Sequence, residues 1–267
     1  MEKLHSICGS KDLQTILVED LLAGIGKLGF KNWWINEEAG VFARGPEGAV
    51  WPFADLPELE TILVGDCHWE SRGFEPGIAA LGLPRLRDIF AQHTPVGAEI
   101  VKLYGIDFTL LDTTKSRIGA FINDLKFAFA SDEIVRMETD ASKRTCFRYI
   151  VDQENPWRPA AGAHHAIDLL FLFGEYDYSH VKEAVAVSDD MRKKWVAYMY
   201  GVAPWDPNSV YAFGPSGKTG VIDTDELAQR RRVHCIDGLR RIGWSSCQPL
   251  ATRLMSARGN VKEAYEE

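Results

Sequence analysis

Apolar side chains recur every three or four positions over several long stretches of the chain, as expected for amphipathic helices. The pattern is regular over residues 11–29, which end in Gly29, and it returns over roughly 76–92, 96–104 and 115–141. These four stretches are predicted to be helices. The first is defined by Leu13, Ile16, Leu17, Leu21, Ile25 and Leu28.

Three short segments between the helical patterns have the composition of buried strands. They are ETILVGD at 60–66, TCFRYIV at 145–151 and SVYAFG at 209–214, all rich in β-branched and aromatic residues. Strands that alternate with helices predict an α/β fold with a mostly parallel sheet. Three strands are few for 267 residues, so either a strand has been missed or the sheet is incomplete.

Two helix starts are indicated by capping residues. Ser188, followed by Asp189 and Asp190, predicts the N-terminus of a long helix between the second and third strands. Asp223 and Glu226 in the segment DTDE form a variant of the capping box and predict another helix.

Composition and charge narrow the function classes. The chain is 46% hydrophobic, enough for a folded core, and its net charge is −8 with both signs mixed along the sequence. It has no basic stripe, which argues against nucleic acid as a partner. Residues 230–232 are three consecutive arginines inside a helical pattern and are interpreted as a solvated face.

The N-terminus and the cysteines favour a soluble, cytoplasmic protein that contacts no membrane. Residues 1–30 lack a cationic leader, and no run of about 18 apolar residues occurs. The five cysteines are scattered without a CxxC pair, which favours reduced thiols over a disulfide framework.

Polar residues follow the first two predicted strands, where α/β proteins place functional groups. VGDCHWESRGF at 64–74 offers Asp66, His68 and Glu70, and GAHHAIDLLFLFG at 162–174 offers His164 and His165. A structural role remains open, since one histidine could cap or pack the helix that follows. Metal binding by both histidines with Asp66 or Asp168 is a further alternative.

Several segments, in order, resemble the type B carboxylesterases, which have the α/β-hydrolase fold. The resemblance covers about 45–225 and is most specific in GAHHAIDLLFLFG. The other matching segments are ILVGDCHWESRGF, FINDLKFAFASD with Asp124 and Phe127, CFRYIVD, DDMRKKWVAYMYGVAPW and VYAFGPSGKTGVID, the last similar to fungal members.

The resemblance implies roles for two residues of a serine esterase triad. Glu70 matches the acid that orients the histidine, and His165 matches the general base, while His164 would be a bystander. Asp168 matches the acid of the histidine segment. The family usually has glycine after its histidine and after its acid, whereas Ala166 and Ser71 stand in those places here.

The serine nucleophile of such a triad has no counterpart in the chain. It would stand in a Gly-x-Ser-x-Gly turn before Glu70, and the segments around Ser10, Ser216 and Ser245 each depart from that motif. The resemblance therefore implies one domain over 1–267, the C-terminal part of an α/β-hydrolase fold, with an incomplete mostly parallel sheet flanked by helices. A truncated or inactive carboxylic ester hydrolase without metal or cofactor is expected.

A second hypothesis is a non-catalytic α/β-hydrolase-like module that pairs with another chain through an exposed sheet edge. Self-association through that edge is expected under both hypotheses. A small-molecule ester would be the substrate only where the missing half is supplied.

Overall fold

The computed structural model describes residues 59–140, 144–174 and 176–257, together with the backbone of 43–44 and 50–51. The chain divides into two units, residues 1–43 and 44–267. The helix predicted over 11–29 lies outside the described residues.

The sheet contains four strands, in the order in which they occur along the chain. They are β3 (Thr61–Cys67), β4 (Thr145–Val151), β5 (Val210–Phe213) and β6 (Thr219–Ile222). The pairs β3–β4 and β4–β5 are parallel and β5–β6 is antiparallel. Two shorter strands, β1 (Ala43–Arg44) and β2 (Val50–Trp51), pair with each other.

The three predicted strands are confirmed, with β4 at its predicted bounds, but β6 was missed. Its sequence, TGVI, is short and contains Gly220, so its pattern is too weak to identify a strand. The hairpin turn between β5 and β6 needs left-handed backbone at Gly214, Ser216 and Gly217. The strand shortage inferred from the sequence was therefore partly a missed hairpin.

Helical segments occupy most of the rest of the described chain. They comprise short 3₁₀ turns at Glu70–Phe74 and Pro159–Ala161, a π-helical turn at Asp124–Ala128, and nine α-helices among the described residues. The α-helices are α1 (Glu75–Gln92), α2 (Val96–Tyr104), α3 (Leu111–Asn123), α4 (Phe129–Asp140), α5 (Ile167–Phe173), α6 (Lys182–Met199), α7 (Thr224–Arg230), α8 (Val233–Ile242) and α9 (Trp244–Met255).

The predicted helices at 76–92 and 96–104 correspond to α1 and α2. The pattern at 115–141 corresponds to a longer continuous helical segment, in which a π-helical turn joins α3 directly to α4. A π-helical turn holds one more residue than an α-helical turn, and such turns are frequent at functional sites. Apolar periodicity alone does not reveal a single extra residue.

The helix start predicted at Ser188 is wrong, because α6 begins six residues earlier at Lys182. Ser188 lies in the interior of α6 and is buried. Its hydroxyl donates to the Phe171 carbonyl at 2.6 Å and accepts from the Tyr178 hydroxyl at 2.6 Å. These partners lie in preceding segments that local sequence does not identify.

The helix start predicted at Asp223 is confirmed. The Asp223 carboxylate accepts the backbone N–H of Glu226 at 2.8 Å, which is the hydrogen bond expected of an N-cap residue. The helix α7 follows directly.

Helices cover both faces of the sheet, so the mostly parallel α/β architecture is confirmed. Phe147, Tyr149 and Val151 of β4 point to one face, where Phe171 of α5 and Met191 of α6 pack against them. The alternate residue Ile150 points to the opposite face, toward α7. A separate helical core is formed by α1, α2, α3, α8 and α9. Among the described strands, β3 is paired on one side only.

The cysteines of the described region are buried and unbridged, as the scattered spacing predicted. They are Cys67, Cys146, Cys235 and Cys247, whereas Cys8 lies outside the described residues. Burial, joined by the nearby Asp168 and Glu70 charges, holds the pKa of the Cys67 thiol well above its ordinary value. Across the described helices, none is both long enough and apolar enough to span a bilayer.

Candidate active site

Two loops meet where β3 and β4 end. Cys67 pairs in register with Val151, so the carboxyl ends of these parallel strands are level. Glu70 follows β3 by three residues at the start of a 3₁₀ turn. His165 ends the loop that leaves β4 and lies just before α5. Parallel pairing thus brings together two side chains that are 95 residues apart in sequence.

Glu70 and His165 are in direct contact. The distance from Glu70 Oε2 to His165 Nδ1 is 2.6 Å. The second carboxylate oxygen accepts the Cys67 backbone N–H at 2.8 Å, which fixes the orientation of the carboxylate. A carboxylate at Nδ1 favours the tautomer in which Nδ1 carries the proton and Nε2 is basic.

The two members of this pair differ sharply in exposure. The Glu70 side chain is 8% exposed, whereas that of His165 is 67% exposed. A buried carboxylate behind an accessible imidazole can hold the ring and stabilise its protonated form, while the ring itself remains reachable for proton transfer.

Backbone hydrogen bonds join the two loops directly. The N–H of His68 donates to the Val151 carbonyl at 3.0 Å, and the N–H of Trp69 donates to the Ala163 carbonyl at 2.8 Å. These bonds extend the β3–β4 pairing beyond the strands and set the separation between Glu70 and His165.

The π-helical turn supplies an aromatic neighbour for the histidine. Phe127 lies on this turn, and its ring centroid is 5.6 Å from that of His165. Asp124, at the start of the same turn, contacts Arg232 in a bidentate ion pair at 2.7 and 2.8 Å. The segment that carried Asp124 and Phe127 in the sequence comparison therefore reaches the site through Phe127.

His164 points elsewhere. Its Nε2 accepts the Asn155 side-chain amide at 2.8 Å, and its Nδ1–H donates to the His165 carbonyl at 2.9 Å. Both contacts steady the loop around His165 and involve no carboxylate.

Asp168 lies beneath the pair on the first turn of α5. Burial raises the pKa of its carboxyl, the Leu169 backbone N–H opposes the rise, and the Glu70 charge adds to it. The Tyr149 hydroxyl donates to the same carboxylate at 3.4 Å. Asp168 thus faces the interior of the site, where it contacts Tyr149.

Ala166 and Ser71 occupy positions at which the resembled family has glycine. Ala166 has a left-handed backbone, with φ 64°, and forms the N-cap of α5. Glycine adopts this conformation without the Cβ clash that costs alanine about 1 kcal/mol. Ser71 is fully buried, and its Oγ finds no hydrogen-bond partner among the described residues.

We expect Ala166→Gly to raise the free energy of unfolding by about 0.5–1 kcal/mol, because it removes the Cβ from a left-handed position. Equilibrium denaturation in urea measures the change. A matched control is Ala186→Gly in the exposed interior of α6, which should lower stability by about 1 kcal/mol. An equal loss of unfolding free energy in both variants would show that the backbone of Ala166 is not strained.

The interpretation of residues 230–232 as a solvated face is wrong. Arg230 ends α7, Arg231 is extended, and Arg232 precedes α8. Arg231 is 2% exposed and Arg232 pairs with Asp124. The carboxylate partners of Arg231 and Arg232 lie between 79 and 165 residues away in sequence, so the local pattern contains no signal for them.

Arg231 bridges the ends of two strands. Its Nε donates to Asp66 Oδ2 at 2.6 Å and its Nη1 donates to Asp152 Oδ1 at 2.7 Å. Arg230 adds a contact to Asp152 Oδ2 at 3.2 Å and one to the Gly214 carbonyl at the end of β5 at 2.7 Å. His68 Nδ1 lies 3.5 Å from Asp152 Oδ1.

The pKa of Asp152 is lowered to about 2. Burial alone would raise it, but the His68 contact and the Arg231 charge outweigh burial. A carboxyl whose pKa is depressed in the folded state stabilises the fold above its ordinary pKa, and this contribution is lost as the pH falls toward the depressed value.

Asp152→Asn should therefore lower stability most at neutral pH. The difference in unfolding free energy from the unsubstituted chain is expected to be about 2 kcal/mol there, and to shrink as the pH falls from about 4 to about 2. Urea unfolding at a series of pH values measures it. A difference that stays constant over this range would contradict the ion-pair assignment.

The metal alternatives do not agree with the structure. Asp66 is held by Arg231 and His165 by Glu70, and the described residues contain no group of three or more histidine, cysteine or acidic side chains able to hold an ion. The two histidines and Asp66 or Asp168 thus do not converge on one point.

Comparison with known proteins agrees with a hydrolase relationship. No family model matches the chain. The chain is 24% identical over 262 residues to Lipase 3 of Yarrowia lipolytica. The match covers 95% of this chain and 50% of the lipase, so the chain spans about half the length of the curated relative it matches. This similarity relates the chain to lipase-like or esterase-like hydrolases, and the sheet fits an α/β-hydrolase fold.

Proposed function

We propose that the chain provides the acid and the histidine of a carboxylic ester hydrolase of the type B carboxylesterase kind. Glu70 orients His165, and His165 acts as general base toward a serine and then as general acid toward the leaving alcohol. The observation that carries the proposal is the 2.6 Å contact between a buried carboxylate and an exposed imidazole at the level ends of two parallel strands.

The proposed nucleophile lies outside these 267 residues. The sequence contains no Gly-x-Ser-x-Gly motif, and the lipase relative extends over about twice the matched length. The oxyanion-hole donors, each worth roughly 3–4 kcal/mol in the transition state, would come from the same source. The chain would then contribute half of a catalytic centre, with an ester as substrate.

The 267-residue chain by itself should hydrolyse short-chain nitrophenyl esters no faster than an equal concentration of free imidazole, because a general base without a serine has no nucleophile to activate. Absorbance at the nitrophenolate band measures the rate. Treatment with a serine-directed organophosphonate should leave the protein unlabelled by mass spectrometry. A fast rate that the organophosphonate abolishes would contradict the proposal.

A chimera tests the positive half of the proposal. In it, this chain replaces the matched half of the Yarrowia lipase, so that both halves are present in one polypeptide. Ester turnover that exceeds that of either half alone would support the catalytic role of Glu70 and His165.

A second candidate function is a non-catalytic module that binds another chain along β3. The observation in its favour is that β3 pairs on one side only within the described sheet, which leaves backbone donors and acceptors available for another strand. A chimera that elutes as a folded monomer, unfolds cooperatively and has no ester turnover would favour the module. Self-association of the chain, measured by sedimentation, fits both candidates.

A further inference from the structure

Arg231 occupies an unusual place for an arginine. It lies in the connection between α7 and α8, it is 2% exposed, and its guanidinium reaches the ends of both strands that carry the candidate pair. A buried arginine between two carboxylates is costly to desolvate and is a weak source of stability compared with apolar packing. Its position at the site suggests a second role.

We infer that Arg231 is a positioning residue, which sets the contact between Glu70 and His165 by clamping the ends of β3 and β4 to each other. The inference rests on the proposed role of that pair. The effect of Arg231 passes through Asp66 and Asp152, the two carboxylates that it binds directly.

Arg231 is connected to Glu70 through Asp66 and the residue that follows it. Arg231 binds both the carboxylate and, at 3.2 Å, the backbone carbonyl of Asp66. The next residue, Cys67, donates its N–H to Glu70 Oε1 at 2.8 Å. A shift of the Asp66 backbone would therefore move the donor that orients the Glu70 carboxylate.

Arg231 is connected to His165 through Asp152 and the loop that follows β4. Asp152 is the first residue after β4, at the start of the loop that ends in His165. Its N–H is held by the Phe213 carbonyl at 2.8 Å, and Arg230 binds its second carboxylate oxygen. The guanidinium of Arg231 thus fixes the first residue of the His165 loop relative to Asp66.

The fold contains a matched arginine at the opposite end of the same strands. Arg144 donates to the Leu59 carbonyl at 2.9 Å and to both oxygens of Glu138 at 2.9 and 3.0 Å, and its side chain is 5% exposed. It joins the segments just before β3 and β4, as Arg231 joins those just after. Arg144→Met is therefore a control of similar burial and charge, far from the site.

The experiment measures the tautomer of His165 by ¹⁵N NMR on histidine-labelled chain, above neutral pH. A ring nitrogen that carries a proton differs strongly in ¹⁵N shift from one that does not, and couplings to the ring C–H protons distinguish Nδ1 from Nε2, so the spectrum reports which nitrogen carries the proton. Substitution of His165 by glutamine assigns the signals. We expect a protonated Nδ1 in the unsubstituted chain, and loss of that signal in Glu70→Ala and in Arg231→Met, with the ring shifting toward the Nε2–H form.

A second variant serves as the control for loss of folding. Arg231→Met leaves two buried carboxylates without a cation and could fail to fold. The triple variant Asp66→Asn, Asp152→Asn and Arg231→Met removes all three charges together, and it should fold and also lose the Nδ1–H signal. Arg144→Met should keep that signal even where its melting temperature falls.

Each outcome has a distinct meaning. Retention of the Nδ1–H signal in Glu70→Ala would overturn the proposed pair itself. Loss in Glu70→Ala with retention in the folded Arg231 variants would leave the pair intact and overturn only the positioning role. Equal loss in Arg144→Met would also overturn it, because any buried arginine of the sheet would then have the same effect.

Discussion

His165→Ala in the lipase chimera is expected to lower kcat by at least about 10⁴-fold, because removal of the general base leaves the serine without a proton acceptor. Glu70→Gln should lower kcat by about 10⁴-fold, since the amide cannot hold the imidazole in the required tautomer as a carboxylate does. Initial rates on a nitrophenyl ester at saturating substrate measure both effects.

The control for these variants is the adjacent histidine. His164→Gln should retain most of the turnover, because His164 bonds only to Asn155 and to a backbone carbonyl. A loss in His164→Gln as large as that in His165→Ala would mean that the two histidines had been assigned the wrong way round.

Arg231→Met is expected to lower the free energy of unfolding by about 3–5 kcal/mol, because it leaves Asp66 and Asp152 buried without their cation. Asp66 has no spare partner for the lost contact, since its Oδ1 already lacks a hydrogen bond among the described residues. Denaturation in urea at neutral pH measures the loss.

A surface pair provides the comparison. Lys115 lies 2.8 Å from Asp112, whose side chain is 90% exposed. Lys115→Met should change stability by less than about 1 kcal/mol, as is usual for solvent-exposed ion pairs. A similar small change in Arg231→Met would show that the buried network contributes little to the fold.

Local sequence was sufficient for the parts of the fold that depend on local interactions. The strand TCFRYIV and the cap at Asp223 could be predicted because side-chain periodicity and capping hydrogen bonds involve residues a few positions apart. Glu70 and His165 were assigned to one candidate site by another route, through the spacing of segments that resemble a known family. Their contact itself required parallel strand pairing, which brings the two loops to one edge.

Long-range polar contacts could not be predicted. The three arginines at 230–232 look like a solvated helix face until Asp66, Asp152 and Asp124 are placed beside them by the fold. Ser188 has the residue type of a helix cap, but its hydroxyl donates to the Phe171 carbonyl of α5. In both cases the residue type was informative only once its partner was known.

The π-helical turn at Asp124–Ala128 has a consequence for how the length of this segment can vary. A π-helical turn accommodates one residue more than an α-helical turn, so deletion of a single residue within it would convert it into an α-helical turn and leave α4 in the same phase relative to α3. Ser131 would then keep its orientation toward the Gly65 carbonyl, to which it donates at 3.1 Å. A one-residue gap in an alignment at this point is therefore compatible with the same packing of α4 against β3, whereas a gap within α4 itself, before Ser131, would rotate Ser131 by about 100° and break that hydrogen bond.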